Sequence, residues 1–525
     1  MPKRLILIHK SVLKGEYDMS NEFLKQMKRE TNFIKSENGA VTHKSTLSDC
    51  LDFFALGGAM RKRSDEDIIL MFRKAYNENP LIAMKLLFYF RDVRGGQGER
   101  RLFRVITKDL MENHPDVLKK NLIYISEFGR WDDLLELAYD TNNNDVVLIV
   151  FNQLKQDISD MNKGKSISLL AKWMPSLGAS SCETVKKAKY WTKRLKMSPK
   201  KYRKTLVKLR KYIDIVESKM AQNEWDEIKF DKLPSKAGLK YRKAFERHCG
   251  ERYSEFMNNK ETTVNADTLY PYEIVEKATK LLDNRCWGET KLDRKAKKTE
   301  INTINKYWEN QKDYFDGKSC NLLPVVDTSG SMRGTPINVA ISIGLYCAER
   351  NKNIFENHYI SFSRQARLIE CEGIDFVDKV KRIYDANLCE NTNIESVFDL
   401  LLRIAVNNHM HQDEIPQNIV IISDMEFDSG TGHYSWRTGK DAKKETETLM
   451  ESIARKWKQH GYEMPHLIYW NVDARQNNIP MLGRGRISYV SGFSPSIFET
   501  ILTGKTGYEL MLETVNKVRY ECITV

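Results

Sequence analysis

The sequence contains no apolar run that approaches the roughly 20 consecutive residues needed to cross a membrane. Its first ten residues combine basic side chains with only four consecutive apolar residues, which is too short for the core of a signal peptide. We therefore expect a cytoplasmic protein with no membrane partner. An extracellular adhesion role is disfavoured.

Cysteine is sparse and scattered. The chain has nine cysteines in 525 residues, and no two of them form a Cys-x-x-Cys pair. This spacing argues against the common zinc and thioredoxin-like sites. An odd, dispersed set is typical of reduced thiols in a cytosolic-type compartment.

Several catalytic signatures are absent. There is no Gly-x-x-x-x-Gly-Lys-Ser/Thr loop for nucleotide phosphates, and no serine lies in a Gly-x-Ser-x-Gly elbow. The sequence Asp327-Thr328-Ser329 resembles the start of a phosphotransferase loop, but Ser329 stands where such loops carry a second aspartate. We therefore expect a protein that is not an enzyme.

Positive charge is abundant but unevenly placed. Residues 319–525 contain 22 Lys/Arg against 26 Asp/Glu, whereas residues 1–318 contain 62 against 45. The net charge of +13 therefore divides into +17 for the front portion and −4 for the rest. A polyanionic partner is expected for the front portion only.

The spacing of apolar residues divides the chain into three parts. Residues 1–45 are polar and mixed, which predicts an N-terminal extension. Residues 46–315 show apolar positions at helical spacing between Pro, Gly and Asn breaks, with helix starts at Ser64 and at Asn79-Pro80. This rhythm predicts packed helical hairpins of a solenoid, HEAT-like type.

Residues 316–525 alternate between short apolar runs and helical patterns. Strands are predicted at 322–327, 358–362, 366–371, 418–423, 467–471 and 487–490, and helices at 336–350, 375–384, 395–406 and 444–460. Such alternation predicts a mostly parallel, Rossmann-like sheet covered by helices, so the fold class is α + α/β.

A candidate cation site follows the first of these strands. Asp327, Ser329 and Ser331 form the pattern Asp-x-Ser-x-Ser in a loop between the strand and the next helix. Carboxylate and hydroxyl oxygens suit Mg²⁺, which also retains several waters. The alternative is that the two serines only cap the following helix.

The pattern resembles the metal-ion-dependent adhesion site of von Willebrand factor A domains. The resemblance implies a threonine from a second loop, matched by Thr392, and an aspartate after a later strand, matched by Asp424. It implies that Mg²⁺ or Mn²⁺ binds at this site, with the two aspartates holding metal-bound waters and an acidic protein partner completing the shell. The implied ligand set is Asp327, Ser329, Ser331, Thr392 and Asp424.

Residues 186–212 are the most basic segment, with 13 Lys/Arg and no acid in 27 residues. Four aromatic residues are interleaved with these charges, which favours nucleic acid because rings stack on bases while cations neutralise phosphates. A solvated helical face is the alternative. The candidate nucleic-acid contacts in this segment are Lys186, Lys187, Lys189, Lys193, Arg194, Lys200, Lys201, Arg203 and Lys204.

A second candidate contact lies in the glycine-rich segment 94–101, whose basic ends are Arg94, Arg100 and Arg101. Two interpretations remain open for it. The segment binds a polyanion, or it is a connection between helices whose glycines allow positive φ.

The whole arrangement resembles the Ro autoantigen family, in which a helical TROVE module binds RNA and a von Willebrand factor A domain closes it. A closer resemblance is to an uncharacterised family of related design in eukaryotes and viruses, which is compatible with a viral origin. The motifs that carry it are residues 91–100, 128–134, 423–428 and 490–494. The resemblance spans residues 46–525 apart from the basic segment.

Together these patterns predict a non-enzymatic scaffold that binds RNA or a ribonucleoprotein and has a Mg²⁺-dependent protein-docking site. The alternative is a protein-interaction or structural assembly component with no RNA role.

Overall fold

The computed structural model describes residues 23–24, 26–283, 291–317, 320–362, 365–386, 392–429, 447–482, 486–505 and 507–525. A helical part precedes a mostly parallel six-stranded sheet flanked by helices, as the α + α/β prediction requires. No helix within the described residues combines the length and apolar composition that a membrane crossing needs.

The helical part consists of both short and long helices that follow one another along the chain. In chain order its α-helices are α1 (Asp49–Leu56), α2 (Asp65–Glu78), α3 (Pro80–Arg91), α4 (Arg100–Asn113), α5 (Pro115–Asn121), α6 (Ile125–Phe128), α7 (Trp131–Thr141), α8 (Asn144–Asn162), α9 (Leu170–Trp173), α10 (Cys182–Arg194), α11 (Pro199–Ile213), α12 (Val216–Ala221), α13 (Ser235–Asn258), α14 (Pro271–Asp283) and α15 (Lys291–Glu309).

Side-chain caps explain where several of these helices begin. The Ser64 hydroxyl accepts a hydrogen bond from the Asp67 amide at the start of α2. The Asn79 side chain accepts one from the Ile82 amide at the start of α3, whose first turn contains Pro80. Such caps satisfy amides that have no partner inside the helix, so both predicted helix starts are confirmed.

The sheet contains β3 (Leu322–Asp327), β4 (His358–Phe362), β5 (Arg367–Glu370), β6 (Asn418–Ser423), β7 (His466–Asn471) and β8 (Ile487–Ser491). Its strand order is β5-β4-β3-β6-β7-β8, and only the edge strand β5 is antiparallel to its neighbour. In the centre, Val325 pairs with Ile421 on one side and Ile360 on the other. The carboxyl ends of β3 and β6 therefore lie side by side.

Within the described residues, six helices accompany the sheet: α16 (Thr335–Arg350), α17 (Phe376–Ala386), α18 (Glu395–Asn407), α19 (Leu449–Gln459), α20 (Ile497–Ile501) and α21 (Gly507–Val515). Helix α16 lies so close to β3 that a Cβ at Gly344 would be 2.4 Å from the Val326 side chain. The predicted strands and the helices corresponding to α16, α17 and α18 are confirmed within a few residues. Residues 444–446 of the predicted helix 444–460, and residue 391 beside Thr392, lie outside the described residues.

Part of the predicted N-terminal extension is folded. Strands β1 (Phe33–Lys35) and β2 (Val41–His43) form an antiparallel hairpin, which we call the N-terminal hairpin. Its second strand exchanges backbone hydrogen bonds of 2.8 and 2.9 Å between His43 and Ile479. The hairpin thus packs on loops that follow the carboxyl ends of β6 and β7.

The helical part and the sheet are joined by buried contacts. Helix α1 packs on β8, where the Ser491 hydroxyl donates to the Phe54 carbonyl and accepts from the Gly58 amide. At the end of the chain, Tyr520 stacks on Phe128 with ring centroids 5.6 Å apart. These contacts join the helical part to β8 and to the residues that follow α21.

Candidate functional site

The helical part contains a cleft of about 690 Å³. We call it the arginine cleft, because its walls carry eight Lys/Arg side chains against two glutamates. The cations come from five separate segments of the chain, and four aromatic rings accompany them. Its principal lining residues are Arg61, Arg91, Glu99, Arg100, Arg101, Arg130, Lys172, Trp173, Glu217, Lys236, Lys240, Tyr241, Tyr270 and Tyr272.

The glycine-rich segment forms one wall of this cleft. Gly98 has a φ of +58°, and a Cβ there would lie 1.9 Å from the Tyr270 hydroxyl, so the tight connection between α3 and α4 requires glycine. Arg100 and Arg101 line the cleft, whereas Arg94 lies outside it and donates to the Glu127 carbonyl at 3.0 Å. The segment is thus a connection between helices in which Gly98 adopts a positive φ, and two of the three predicted arginines line a common cavity.

Two adjacent aspartates at the start of α7 organise the arginines. Asp133 is buried and accepts hydrogen bonds from Arg91 and Arg104 at 2.6–2.8 Å. Asp132 accepts from Arg130 at 2.7 and 2.9 Å and from Arg104 at 2.9 Å. Helix α7 therefore begins where its two carboxylates fix three guanidinium groups.

Arg100 is the cation that these carboxylates leave weakly paired. Its Nη1 lies 3.9 Å from Asp132, beyond hydrogen-bond distance, and its side chain is 53% exposed. Burial lowers the pKa of Arg100, and the nearby charges of Arg130 and Arg104 lower it further. The charges of Asp132 and Asp133 oppose this lowering of the Arg100 pKa.

The aromatic rings of the cleft are in contact with cations. The Arg130 guanidinium lies 4.1 Å from the centre of the Trp173 ring. Lys240 lies 4.8 Å from the Tyr241 ring, and Lys236 lies 5.0 Å from the Tyr270 ring. Such contacts stabilise cations at a surface and hold them in place.

The basic segment 186–212 folds into α10 and α11. Most of its predicted contact residues are exposed, including Lys200, Lys201 and Arg203, whereas Lys187 is bound by Glu136 at 2.5 Å and Glu183 at 2.9 Å. Arg194 is half-buried and donates to the Asn144 side chain. The segment thus offers a row of free lysines but also contains structural cations.

The aromatic residues of this segment do not support the base-stacking argument. Trp191 and Tyr202 are each 1% exposed, and Tyr190 is half-buried with its hydroxyl bound to the Ala138 carbonyl. Tyr212 is exposed. The expectation of interleaved rings for stacking is therefore wrong for Trp191 and Tyr202, because the helical period places them against the core.

Helix α11 nevertheless connects the basic segment to the arginine cleft. Arg210 donates to the carbonyls of Ala171 and Met174, at 2.8 and 2.6 Å. These residues belong to or border α9, the helix that gives Lys172 and Trp173 to the cleft wall. The two predicted basic regions are thus neighbours in the fold.

A second candidate site lies at the carboxyl ends of β3 and β6. Asp327 is fully buried and accepts hydrogen bonds from the Ser329 amide at 2.9 Å and the Ser423 hydroxyl at 2.5 Å. Burial raises the pKa of Asp327, and the charge of Asp424 raises it further. Two carboxylates are therefore held close together in a region that disfavours their charge.

The predicted hydroxyl ligands lie in the same region. Ser329 Oγ and Ser331 Oγ are 3.0 Å apart. Thr392 is 1% exposed, and its hydroxyl accepts a hydrogen bond from the Asn38 amide group at 3.3 Å. Asn38 belongs to the turn of the N-terminal hairpin, so Thr392 is connected to the site through that turn.

Arg475, which sequence reasoning missed, supplies the cation that the structure places at this site. Its Nη2 donates to Asp424 at 2.8 Å and lies 3.1 Å from Glu37 of the hairpin. Burial raises the pKa of Asp424, and the charge of Arg475 opposes this effect. One guanidinium is therefore shared between a carboxylate of the sheet and one of the hairpin.

The hairpin turn covers the loop after β6. The Glu37 amide donates to Glu426 at 2.6 Å, and the Asn38 side chain donates to the Glu426 carbonyl at 2.6 Å. Glu426 is fully buried, and its second carboxylate oxygen has no hydrogen-bond partner within the described residues. Burial raises the pKa of Glu426 to about 7.

The donor set fits a hydrated divalent cation held by oxygen atoms. Octahedral Mg²⁺ at about 2.1 Å from its ligands separates neighbouring ligands by about 3.0 Å, which matches the distance between the two serine hydroxyls. Within the described ranges no three His, Cys, Asp or Glu side chains form a metal-ligand group. Serine hydroxyls and waters would therefore supply most of the coordination at this site.

Comparison with protein families corrects the expected assignment. Residues 321–521 match a domain of unknown function, DUF7788, and residues 36–150 and 144–313 match another, DUF2828. Neither a TROVE nor a von Willebrand factor A model matches, so membership in a Ro-like family with a metal-ion-dependent adhesion site is wrong. No RNA-binding family is found either, and any nucleic-acid role must rest on this chain's own residues.

The chain is also similar to an uncharacterized protein of Acanthamoeba polyphaga mimivirus. The two are 28% identical over 528 residues, which covers 90% of this chain and 85% of the viral protein. The similarity thus extends through both the helical part and the sheet. The two overlapping matches to the DUF2828 model together span residues 36–313, which is more than half of the chain. This protein therefore belongs to the family of the domain of unknown function DUF2828.

Proposed function

We propose that this protein is a non-enzymatic scaffold that binds RNA or a ribonucleoprotein through the arginine cleft. The observation that carries the proposal is the lining of that cleft, in which eight Lys/Arg side chains face two glutamates. Nucleic-acid binding requires cations that neutralise phosphates, in a shape that the ligand can enter. The aromatic rings of the same cleft add surfaces that every base can contact.

The distribution of charge along the chain supports this location. The front portion carries +17 and residues 319–525 carry −4, so the long-range field attracts a polyanion to the helical part. The exposed lysines of α11 lie on a helix that packs against the cleft wall at α9. They extend the attraction beyond the cleft and should mainly assist capture of the ligand.

The dimensions of the cleft favour single strands over duplexes. A volume of about 690 Å³ lies within the range of small-ligand pockets and admits one or two nucleotides. A duplex presents its bases stacked and paired, whereas a single strand can place an unstacked base against an aromatic ring. We therefore expect single-stranded RNA, or a looped region of structured RNA, to bind more tightly than duplex DNA.

A titration with labelled single-stranded RNA at several salt concentrations tests this function. The parent is compared with a cleft variant, Arg100→Ala/Lys240→Ala, and with the α11 variant in which Lys200, Lys201, Arg203 and Lys204 become alanine. The matched control, Arg403→Ala/Lys458→Ala, removes two exposed cations from the sheet-flanking helices α18 and α19.

Both basic variants should weaken binding and flatten the salt dependence, since fewer counterions are released per complex. The control should behave as the parent does. Absence of binding by the parent at low salt, together with a normal absorbance ratio after purification in low salt, would favour a protein-interaction component with no RNA role.

A second proposed activity is protein docking through a divalent cation at the carboxyl ends of β3 and β6, which we call the sheet edge. The distance of 3.0 Å between Ser329 Oγ and Ser331 Oγ supports Mg²⁺ or Mn²⁺ as the ion. Asp327 and Asp424 would hold its waters, and Thr392 would add a hydroxyl oxygen. An acidic segment of a partner protein would add a carboxylate oxygen to the remaining coordination positions of the ion.

Mn²⁺ provides a direct probe of this site. Binding is measured by the loss of the free-ion electron paramagnetic resonance signal, for the parent and for Asp327→Asn. The control is Asp413→Asn, which removes an exposed carboxylate before β6, at the opposite edge of the sheet. We expect one weak site that is lost only in Asp327→Asn, and a parent that leaves the free-ion signal unchanged would exclude the cation.

A scaffold requires no turnover, and we propose that neither site is catalytic. The cleft lining consists mainly of cations and rings. The Ser423 hydroxyl donates to Asp327, but both side chains are fully buried, so this pair does not face a substrate. Incubation with ATP, GTP and a phosphodiester should therefore release no phosphate. Turnover that disappears in Asp327→Asn would contradict this part of the proposal.

A further inference from the structure

We infer that Arg100 and Arg130 form a phosphate-binding subsite in the arginine cleft, and that its ligand is the phosphate of a single-stranded nucleotide unit. This inference rests on the proposed function, and it names the position at which the polyanion is held. It derives from an imbalance between guanidinium groups and carboxylates at the start of α7.

Four arginines gather around two carboxylates at this point. Asp133 is bound by Arg91 and Arg104, and Asp132 is bound by Arg104 and Arg130, with Arg100 nearby. Four positive charges therefore meet two negative ones, which leaves an excess of two. A terminal phosphate monoester carries nearly two negative charges at neutral pH and matches this excess, whereas an internal phosphodiester carries one and neutralises half of it.

These arginines differ in how tightly the two carboxylates bind them. Arg91 is 2% exposed and spends its Nε and Nη2 on Asp133, so it stabilises the fold rather than a ligand. Arg100 is the third cation near Asp132 and makes no hydrogen bond to it at 3.9 Å. Its side chain is 53% exposed and lines the cleft, so its donors face the cavity side of the cluster.

Arg130 is oriented before any ligand arrives. Its Nε and Nη2 donate to the two oxygens of Asp132 at 2.9 and 2.7 Å, and its guanidinium lies 4.1 Å from the Trp173 ring centre. These contacts leave the Nη1 hydrogens for a ligand. A planar guanidinium held in this way binds phosphate oxygens with little loss of conformational entropy.

The size of the cavity limits the ligand that can accompany the bound phosphate. At about 690 Å³ the cleft accommodates a nucleotide or two, and its Trp173 and Tyr241 rings lie on the same lining as the two arginines. A base attached to the bound phosphate would remain within reach of these rings. Adenosine 5′-monophosphate is a small probe that contains both a phosphate and a base.

Isothermal titration calorimetry with adenosine 5′-monophosphate and with adenosine, at low salt, tests the subsite. The variants are Arg100→Ala and Arg100→Gln, the second of which keeps a long polar side chain. Arg403→Ala is the matched control, because Arg403 is an exposed arginine of α18 that does not line the cleft. Far-ultraviolet circular dichroism verifies that each variant is folded.

We expect the parent to bind the monophosphate more tightly than adenosine. Both Arg100 variants should weaken monophosphate binding by about tenfold or more, as loss of a charge-assisted hydrogen bond does, while Arg403→Ala leaves it unchanged. Equal affinities for the parent and the Arg100 variants would overturn the inference.

Failure of the parent to bind the monophosphate would also overturn the subsite. The RNA titration then separates the two levels of the account. Binding of single-stranded RNA without monophosphate binding would leave the proposed function standing, whereas loss of both would remove it as well.

Discussion

Arg91 and Asp133 form a buried ion pair in which Nε and Nη2 of the arginine donate to one carboxylate oxygen at 2.8 and 2.6 Å. The same carboxylate accepts from Arg104 and from the Arg130 amide, so it connects α3, α4 and the start of α7. Removal of one partner of a buried pair leaves an uncompensated charge. This pair is therefore the structural base of the arginine cleft.

We predict that Asp133→Ala lowers the free energy of unfolding by about 3–5 kcal/mol, because Arg91 remains buried without a counter-charge. The measurement is urea denaturation followed by circular dichroism. Asp140→Ala, at an exposed position of the same helix, should change stability by less than about 0.5 kcal/mol. Similar small effects for both substitutions would show that the buried pair contributes little.

Arg475→Met tests whether a cation other than arginine binds at the sheet edge. Arg475 neutralises Asp424, so its removal should increase the affinity for Mn²⁺ by about tenfold or more, by Coulomb attraction alone. Mn²⁺ binding is measured by electron paramagnetic resonance. Arg486→Met, at the start of β8 and thus at the other edge of the sheet, should leave it unchanged. An unchanged or weaker affinity in Arg475→Met would show that the guanidinium does not compete with a metal ion for Asp424.

Glu426 predicts a dependence of stability on pH. Burial raises the pKa of Glu426 from its usual 4.5 to about 7 in the folded protein. A group with a raised folded-state pKa stabilises the fold below its unfolded pKa, and this contribution disappears as the pH rises. Stability should therefore fall between pH 4.5 and 7 by about 3 kcal/mol from this group.

The variant Glu426→Gln isolates that contribution. Glutamine keeps an acceptor for the Glu37 amide but does not ionise, so the fall in stability between pH 4.5 and 7 should become shallower. Urea denaturation at half-unit steps of pH compares the variant with the parent. Parallel curves would show that Glu426 does not titrate in this range.

Gly58→Ala tests the junction between the helical part and the sheet. An added Cβ would lie 2.4 Å from the Ser491 carbonyl oxygen, so α1 and β8 must separate. Overpacking of this kind costs about 1–3 kcal/mol, which thermal denaturation detects. Gly178→Ala is the control, because an added Cβ there has no neighbour within 4 Å. Equal melting temperatures for the two variants would show that the junction tolerates the displacement.

Much of the sheet is predictable from local sequence. The runs 322–327 and 418–423 are apolar and end beside aspartates, and parallel strands place their carboxyl ends together. Asp327 and Asp424 therefore had to be neighbours once the strand order placed β3 beside β6. The partner of Asp424 was not predictable, because Arg475 follows a different strand and no local pattern marks it.

The arginine cleft shows the limit of such reasoning. Arg100 and Arg130 lie in motifs that attract attention, but Lys172, Lys236 and Lys240 come from distant segments with unremarkable surroundings. Only tertiary packing brings them to one cavity. In the basic segment 186–212 the sequence predicted rings available for base stacking, but Trp191 and Tyr202 are buried in the core at helical spacing. A solenoid-type repeat within the helical part stays a prediction.

Ultraviolet crosslinking of a bound single-stranded RNA, followed by mass spectrometry of the crosslinked peptides, tests the central claim most directly. The account predicts crosslinks to peptides that contain Arg100–Arg101, Trp173 and Tyr241, which line one cleft. Their yield should fall in Arg100→Ala. Crosslinks confined to other surfaces, or a yield no higher than that of an unrelated protein, would contradict binding of RNA in the arginine cleft.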